Sequence, residues 1–221
     1  MTEAVKEPAA DRWAKRRKYW LQLVLGAVSG AAGMMAVLWL LERQELPDPD
    51  VSMIVAAGVA VIYILMGVLV GLGTLFPGAG AKLLNVQDRE ELLEQRAMLL
   101  GSAVGCGLFG AVMLTLVFAM SGISPIGPQT AFWLFVGALV VTSVITWRQW
   151  PLYDELMRAV VQESAALFGY GLLVVLALWG AAAASGLIGG PAPLDLVSLA
   201  FGGFLVACYV VISRRGMMQL D

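Results

Sequence analysis

Few side chains in this sequence are of the types that carry catalytic or metal-binding chemistry. The chain contains no histidine, which excludes histidine-based zinc sites and Ser-His or Cys-His catalysis. Its two cysteines, Cys106 and Cys208, both lie in long apolar stretches. Because structural disulfides are not expected inside such stretches, we interpret both cysteines as small buried apolar side chains. The sequence therefore predicts no bound metal and no cofactor.

Two short segments have some of the residues of a ligand site. Segment 76–82, Phe-Pro-Gly-Ala-Gly-Ala-Lys, carries the glycines and lysine of a phosphate loop. Leu83 follows the lysine where a phosphate loop has Ser or Thr, and an apolar helix precedes it in place of a strand, so we interpret it as a helix end. The carboxylates of segment 42–50 could bind a cation, but two prolines interrupt regular structure there, which favours an exposed acidic loop.

Glu94 and Glu163 are the carboxylates best placed for general acid–base chemistry, each close to the start of a long apolar run. A lipid-active enzyme that uses this pair is one hypothesis left open by the sequence. The interiors of the apolar runs hold no acidic or basic side chain, whereas proton-coupled transporters and pumps usually carry one at depth. Proton-coupled transport is therefore not favoured, and we expect the protein not to be an enzyme.

The apolar runs are the elements that must position every other residue. Hydrophobic residues make up 60% of the chain and charged residues 14%, against about 25% charged in soluble domains. Asp, Glu, Lys and Arg are all absent from 19–41, 51–81, 97–147, 164–194 and 196–213. A membrane-spanning helix needs about 20 residues, and a Pro/Gly-rich turn at 121–128 divides the longest run into two. The sequence predicts an all-α integral membrane protein whose six transmembrane helices lie near 20–41, 52–75, 97–120, 129–147, 165–187 and 195–213.

The distribution of basic residues predicts the orientation of these helices. Thirteen of the 14 Lys and Arg residues fall in the N-terminal segment, the second and fourth loops and the C-terminus, and only Arg43 lies on the other side. Cytoplasmic loops carry the excess of Lys and Arg, so both termini are expected in the cytoplasm. The Ala/Gly/Val-rich spans and compact loops suggest a bacterial inner membrane.

An internal repeat organises the predicted helices into hairpins. Placing residues 90–123 over 154–187, an offset of 64, makes 9 of 34 positions identical, including the Gly-x-Gly-Leu segments at 105 and 169. A weaker likeness extends to the first two spans. We expect a basic leader at 1–19 and one transmembrane domain at 20–221, built as three tandem helical hairpins (about 20–75, 90–147 and 154–213) in parallel orientation.

Small residues are expected to hold the helices together, because close approach and not burial drives helix association in lipid. Glycines spaced by four, or in Gly-x-Gly pairs, mark the helix-packing positions that we predict: Gly26, Gly30, Gly67, Gly71, Gly101, Gly105, Gly107, Gly169 and Gly171. Intramolecular packing is the favoured interpretation, and a self-association face is the alternative.

Charged residues outside the spans suggest two kinds of contact. The turns before the third and fifth spans are expected to be helical and to present candidate docking residues for a partner protein: Glu91, Glu94, Arg96, Asp154, Glu155, Arg158 and Glu163. The spacing of Asp154 and Arg158 predicts an i,i+4 ion pair. The leader is basic with interleaved aromatics, and its place before a span favours lipid headgroups over nucleic acid as the partner of Arg12, Lys15, Arg16, Arg17 and Lys18.

Two function classes remain besides the lipid-active enzyme. The first is a non-enzymatic inner-membrane protein, a scaffolding, assembly or regulatory subunit that contacts the bilayer and other membrane subunits or copies of itself. The alternative is a small transporter or channel for a neutral or apolar solute, whose pathway would be lined by hydroxyl side chains: Ser29, Ser102, Thr115, Thr142 and Ser143.

Overall fold

The computed structural model describes residues 24, 26–39, 50–76, 78, 89–122 and 124–217, and all regular structure in these residues is helical. The helices are α1 (Gly26–Trp39), α2 (Val51–Leu75), α3 (Arg89–Glu94), α4 (Arg96–Met120), α5 (Pro128–Gln149), α6 (Glu155–Ala184) and α7 (Pro193–Arg214), with a 3₁₀ turn at Trp150–Leu152. Five of them, α2 and α4 to α7, are long and apolar enough to cross a membrane. The predicted all-α class and these five apolar helices are confirmed.

The helix ends differ from the predicted spans in ways that the local sequence explains. Helix α6 begins at Glu155, ten residues before the apolar span, so the turn expected to be helical before the fifth span is confirmed. The Asp154 carboxylate accepts the N–H of Met157 at 2.6 Å and caps the helix there. The helix ends at Ala184, three residues early, where Gly186 takes a positive φ of 72° that closes the helix end. Of the first predicted span, 20–41, the structure describes residue 24 and the helical stretch Gly26–Trp39.

The two turns that join α4 to α5 and α6 to α7 have the same construction. Each outgoing helix ends in a Ser-Gly pair, with Gly122 at φ 78° in one turn and Gly186 at φ 72° in the other. Each returning helix begins with a proline at its first turn, Pro128 or Pro193, where the missing N–H costs nothing. The Trp179 indole also donates to the Gly189 carbonyl at 3.1 Å, which ties α6 to its own turn.

Helix α2 lies at the centre of the bundle. It packs against α4 on one side and α7 on the other, while α5 packs on α4 and α6 packs on α7. Helix α1 contacts α2, since a Cβ at Gly33 would lie 2.6 Å from Val61 Cγ1. The buried core runs between these inner helices and consists of Val37, Ala56, Ala57, Ala60, Val61, Met113, Val117 and Leu194.

The antiparallel packing of α2 on α4 depends on glycine. A Cβ added at Gly67 would lie 2.6 Å from the Gly107 nitrogen and 2.8 Å from the Ala103 carbonyl oxygen. One added at Gly110 would lie 2.6 Å from the Ala60 carbonyl oxygen. Because backbone atoms cannot move aside as side chains can, this approach is possible only where the Cβ is missing.

Candidate functional site

The predicted helix-packing glycines fall into two groups. Gly67 and Gly107 meet directly, and Gly71, Gly101 and Gly105 face Ala103, Gln149 and Thr142 respectively. By contrast, a Cβ at Gly26, Gly30, Gly169 or Gly171 would meet no described atom within 4 Å, and neither would one at Gly107, whose backbone is what Gly67 approaches. For Gly26, Gly30, Gly169 and Gly171, the described residues therefore provide no packing neighbour.

Four further glycines lie at close contacts that the spacing rule missed. A Cβ at Gly33 or Gly110 would overlap α2, one at Gly202 would lie 3.3 Å from Val59, and one at Gly203 would lie 3.1 Å from Phe168. The spacing rule did not select these four glycines. The spacing of a glycine indicates which face of its own helix it lies on, but not which other helix that face meets. The neighbour is known only from the packing.

An aromatic junction joins four helices in the middle of the bundle. It consists of Tyr63 from α2, Phe109 from α4, Phe135 from α5 and Phe201 from α7. The rings of Phe109 and Phe201 have centroids 4.3 Å apart, and the other neighbouring pairs lie 5.8–6.3 Å apart. The Tyr63 hydroxyl donates to the Phe201 carbonyl at 3.2 Å, so its polar end is satisfied. The junction fills the space between these helices with side chains.

One end of the bundle gathers the charged residues, and we call it the charged end: it contains the starts of α4 and α6 and the ends of α5 and α7. The Gln149 amide of α5 donates to the Ala97 carbonyl of α4 at 3.0 Å. At the same end, Arg215 donates from Nε to Glu163 at 2.9 Å and from its terminal nitrogen to the other carboxylate oxygen. This two-bond pair fastens the charged ends of α6 and α7 together, and hydrogen bonding to Glu163 raises the pKa of Arg215.

Most of the predicted docking residues are exposed at this end: Glu94, Arg96, Asp154, Glu155 and Glu163. Arg158 is half-buried, and its Nε has no hydrogen-bond partner in the described part of the chain. The predicted Asp154–Arg158 ion pair is wrong: the Asp154 carboxylate caps α6, and Glu163 pairs with Arg215. Glu91 lies in α3. The lipid-headgroup residues Arg12, Lys15, Arg16, Arg17 and Lys18 lie outside the described residues.

Helix α6 is the least covered of the long helices. It packs on α7, and none of the residues in its most apolar 18-residue stretch is buried, whereas a third are buried in the corresponding stretches of α2 and α4. Tyr170 is 77% exposed and Leu173 67% exposed. The exposed side of α6 at this level, which we call the open face of α6, consists of Gly169, Tyr170, Gly171, Leu173 and Val174, whereas Leu172 between them is half-buried.

The hydroxyl side chains proposed to line a pathway are not brought together. Ser29 and Thr115 donate to carbonyls of their own helices, at 3.1 and 2.8 Å, and Ser102 is exposed on α4. Thr142 and Ser143 share an open groove on the outside of α5 near the charged end. No common cavity therefore connects these five residues in the part of the chain that the structure describes.

Comparison with protein-family models, with curated proteins and with solved structures found no match to this chain. Within the described ranges, no group of three or more Cys, Asp or Glu side chains is placed to hold a metal ion. The two surfaces that stand out by geometry are the open face of α6 and the groove on α5.

Proposed function

We propose that this protein is a non-enzymatic subunit of an inner-membrane complex, and that the open face of α6 seats a transmembrane helix of a partner subunit. The observation that carries the proposal is the exposure of α6. A 30-residue apolar helix is held by α7 and offers a face with no buried side chain in its most apolar stretch. Such a face is free to pack on a further helix.

The internal repeat supports the same surface. At the offset of 64, Gly107 of α4 corresponds to Gly171 of α6, and Gly105 corresponds to Gly169. In α4 the Gly107 backbone receives Gly67 of α2 at 2.6 Å from its nitrogen. An added Cβ would meet no described atom within 4 Å at Gly107 or at Gly171, so the two positions do not differ in that respect. The two helices differ in their partners: α2 packs on the Gly107 backbone of α4, whereas α6 packs on α7 and has no residue buried in its most apolar stretch.

The physical basis of this docking is close approach between the backbones of two helices. Lipid tails are as apolar as Leu, so an exposed apolar helix gains little from burial alone, and close backbone approach supplies the attraction. Gly169 allows that approach on the side of α6 where Leu173 lies one turn further along, and the exposed Tyr170 and Leu173 add contact area. We expect a partner helix with small residues facing α6.

The charged end would complete the interface outside the membrane. Glu94, Arg96 and Glu155 are exposed there and are available to a partner's polar segment. We further propose six spans in three parallel hairpins with both termini in the cytoplasm, since thirteen of the 14 Lys and Arg residues fall in sequence segments that six spans would place on one side of the membrane.

Site-specific photo-crosslinking in the native membrane tests the helix seat. A photo-reactive side chain at Leu173 is expected to trap one discrete protein, whereas the same group at Val140, which is 58% exposed on α5, is expected to trap lipid or nothing. Substituting Gly169→Leu should abolish the Leu173 product, because position 169 lies one turn from Leu173 on the same side of α6 and the added side chain would keep the partner helix away. Equal labelling from both positions, or a product unchanged by Gly169→Leu, would contradict the proposal.

A further inference from the structure

The groove on α5 has a composition unlike the rest of the apolar surface. It encloses about 530 Å³, opens outward, and is lined by Thr142, Ser143, Thr146, Trp147 and Trp150. These residues occupy the last two turns of α5 and the start of the 3₁₀ turn. The groove therefore lies at the end of a membrane-spanning helix, at the depth where tryptophans meet lipid headgroups.

The hydroxyl groups of the groove are arranged as hydrogen-bond acceptors. Thr142 donates its proton to the Ala138 carbonyl at 2.8 Å, and Thr146 donates to the Thr142 carbonyl at 2.9 Å. Each hydroxyl has one proton, and in both threonines that proton is already donated. The two threonine oxygens can therefore act towards a ligand only as hydrogen-bond acceptors. Ser143 makes no hydrogen bond within the described part of the chain and adds a further acceptor.

The groove also presents two indole rings and no charge. Trp147 is 81% exposed, and Trp150 is half-buried. An indole face attracts a cation more strongly than any other side-chain ring, and hydroxyl oxygens accept hydrogen bonds from an ammonium group. No Lys or Arg lines this groove, so it has no positively charged side chain to pair with a phosphate; its hydrogen-bond donors are the uncharged indole N–H groups and the Ser143 hydroxyl.

We propose that this groove binds the primary ammonium headgroup of a zwitterionic membrane phospholipid. The ammonium lies against the indole of Trp147 or Trp150 and donates to the threonine and serine oxygens, while the acyl chains remain in the bilayer alongside α5. The groove opens sideways from a spanning helix, so its ligand arrives from the membrane. This inference does not depend on the partner helix at α6.

Native mass spectrometry of the full-length protein in detergent, titrated with single lipids of matched acyl chains, tests the proposal. Phosphatidylethanolamine is expected to bind tightest, because its ammonium both donates hydrogen bonds and contacts the rings. Phosphatidylcholine, whose quaternary ammonium cannot donate, follows, and phosphatidylglycerol binds weakest. Equal affinity for all three lipids would contradict the proposal and indicate a non-specific annular contact.

Matched variants locate the site. Trp147→Ala should weaken phosphatidylethanolamine binding roughly five- to tenfold, the effect of losing about 1 kcal/mol of cation–π attraction. Trp133→Ala removes a tryptophan that is 68% exposed at the other end of the same helix and should leave binding unchanged. Equal losses in the two variants would overturn the assignment. Ser143→Ala, a change at an exposed position, should weaken phosphatidylethanolamine binding while leaving phosphatidylcholine binding unchanged, and the same loss for both lipids would also overturn it.

Water-soluble glycerophosphoethanolamine separates a lipid ligand from a free amine. At the same concentration it should fail to displace the lipid, because it lacks the acyl chains that hold the headgroup beside the groove. Full displacement would contradict a membrane lipid as the ligand.

Discussion

Replacing Gly67 with alanine tests whether close backbone approach holds α2 to α4. The new Cβ would lie 2.6 Å from the Gly107 nitrogen and 2.8 Å from both the Ala103 carbonyl oxygen and the Gly107 Cα. All three are backbone atoms, so the two helices must separate along their central contact. Because α2 also packs on α7, the displacement would disturb the centre of the bundle.

The expected cost follows from two opposing effects. Forcing an extra carbon into a packed contact costs about 1–3 kcal/mol, while alanine in place of glycine favours a helix by up to about 1 kcal/mol. Because the added carbon would overlap three backbone atoms, we take the upper half of the packing cost, about 2–3 kcal/mol. After the helix gain of about 1 kcal/mol, Gly67→Ala should destabilise the protein by about 1–2 kcal/mol, or roughly five- to thirtyfold in the folding equilibrium. Gly71→Ala, one turn away on the same helix, is the matched control, since its Cβ would meet Ala103 at an ordinary 3.6 Å.

SDS titration of the protein in mixed micelles, followed by tryptophan fluorescence, measures both variants. Gly67→Ala should unfold at lower SDS than the wild type, and Gly71→Ala should unfold at the same SDS or slightly higher. If the SDS unfolding midpoints of the two variants change by the same amount, in either direction, the contact between Gly67 and Gly107 does not hold α2 and α4 together.

Three further predictions use the same assay. Gly186→Ala should destabilise the protein by about 1–2 kcal/mol, since Gly186 has a φ of 72°; no change would mean that the turn relaxes. Tyr63→Phe should cost about 0.6 kcal/mol through loss of the 3.2 Å bond to the Phe201 carbonyl, and a neutral result would show that this bond contributes nothing. Arg215→Glu should lower the SDS unfolding midpoint, and the double variant Arg215→Glu with Glu163→Arg should restore it. Added salt should reduce both effects, because it screens the charges. A double variant that is no more stable than Arg215→Glu alone would contradict the ion pair.

The sequence was most informative about the long helices. Charge-free runs predicted α2, α4, α5 and α7 to within a few residues, because a membrane helix must exclude charge along its whole length. The start of α6 lies outside the apolar run, and the expectation of a helical turn before the fifth span is confirmed there, since Glu155 and Arg158 belong to the helix. Its N-cap, Asp154, was assigned to an ion pair because the i,i+4 rule considers side chains and not the free backbone N–H groups at a helix start.

The contacts between helices were the part that the sequence could not supply. Sequence patterns selected both Gly67, which is spaced by four from Gly71, and Gly169, which forms a Gly-x-Gly pair, yet a Cβ at Gly67 would meet a neighbouring backbone and one at Gly169 would meet no described atom within 4 Å. Likewise, Tyr63 and Phe201 share no motif and lie 138 residues apart, so nothing local links them. Both depend on which helices become neighbours, and lipid-facing and helix-facing apolar surfaces have the same composition.

Native mass spectrometry of the protein extracted mildly from its own membrane tests the central claim most directly. The open face of α6 predicts a stoichiometric complex with a second membrane protein. Gly169→Leu should dissociate this complex while leaving the SDS unfolding midpoint of the isolated chain unchanged, since no described atom lies within 4 Å of a Cβ at that position. A monomer in the wild type, or a complex that survives Gly169→Leu intact, would contradict the assignment of α6 as the helix that a partner packs on.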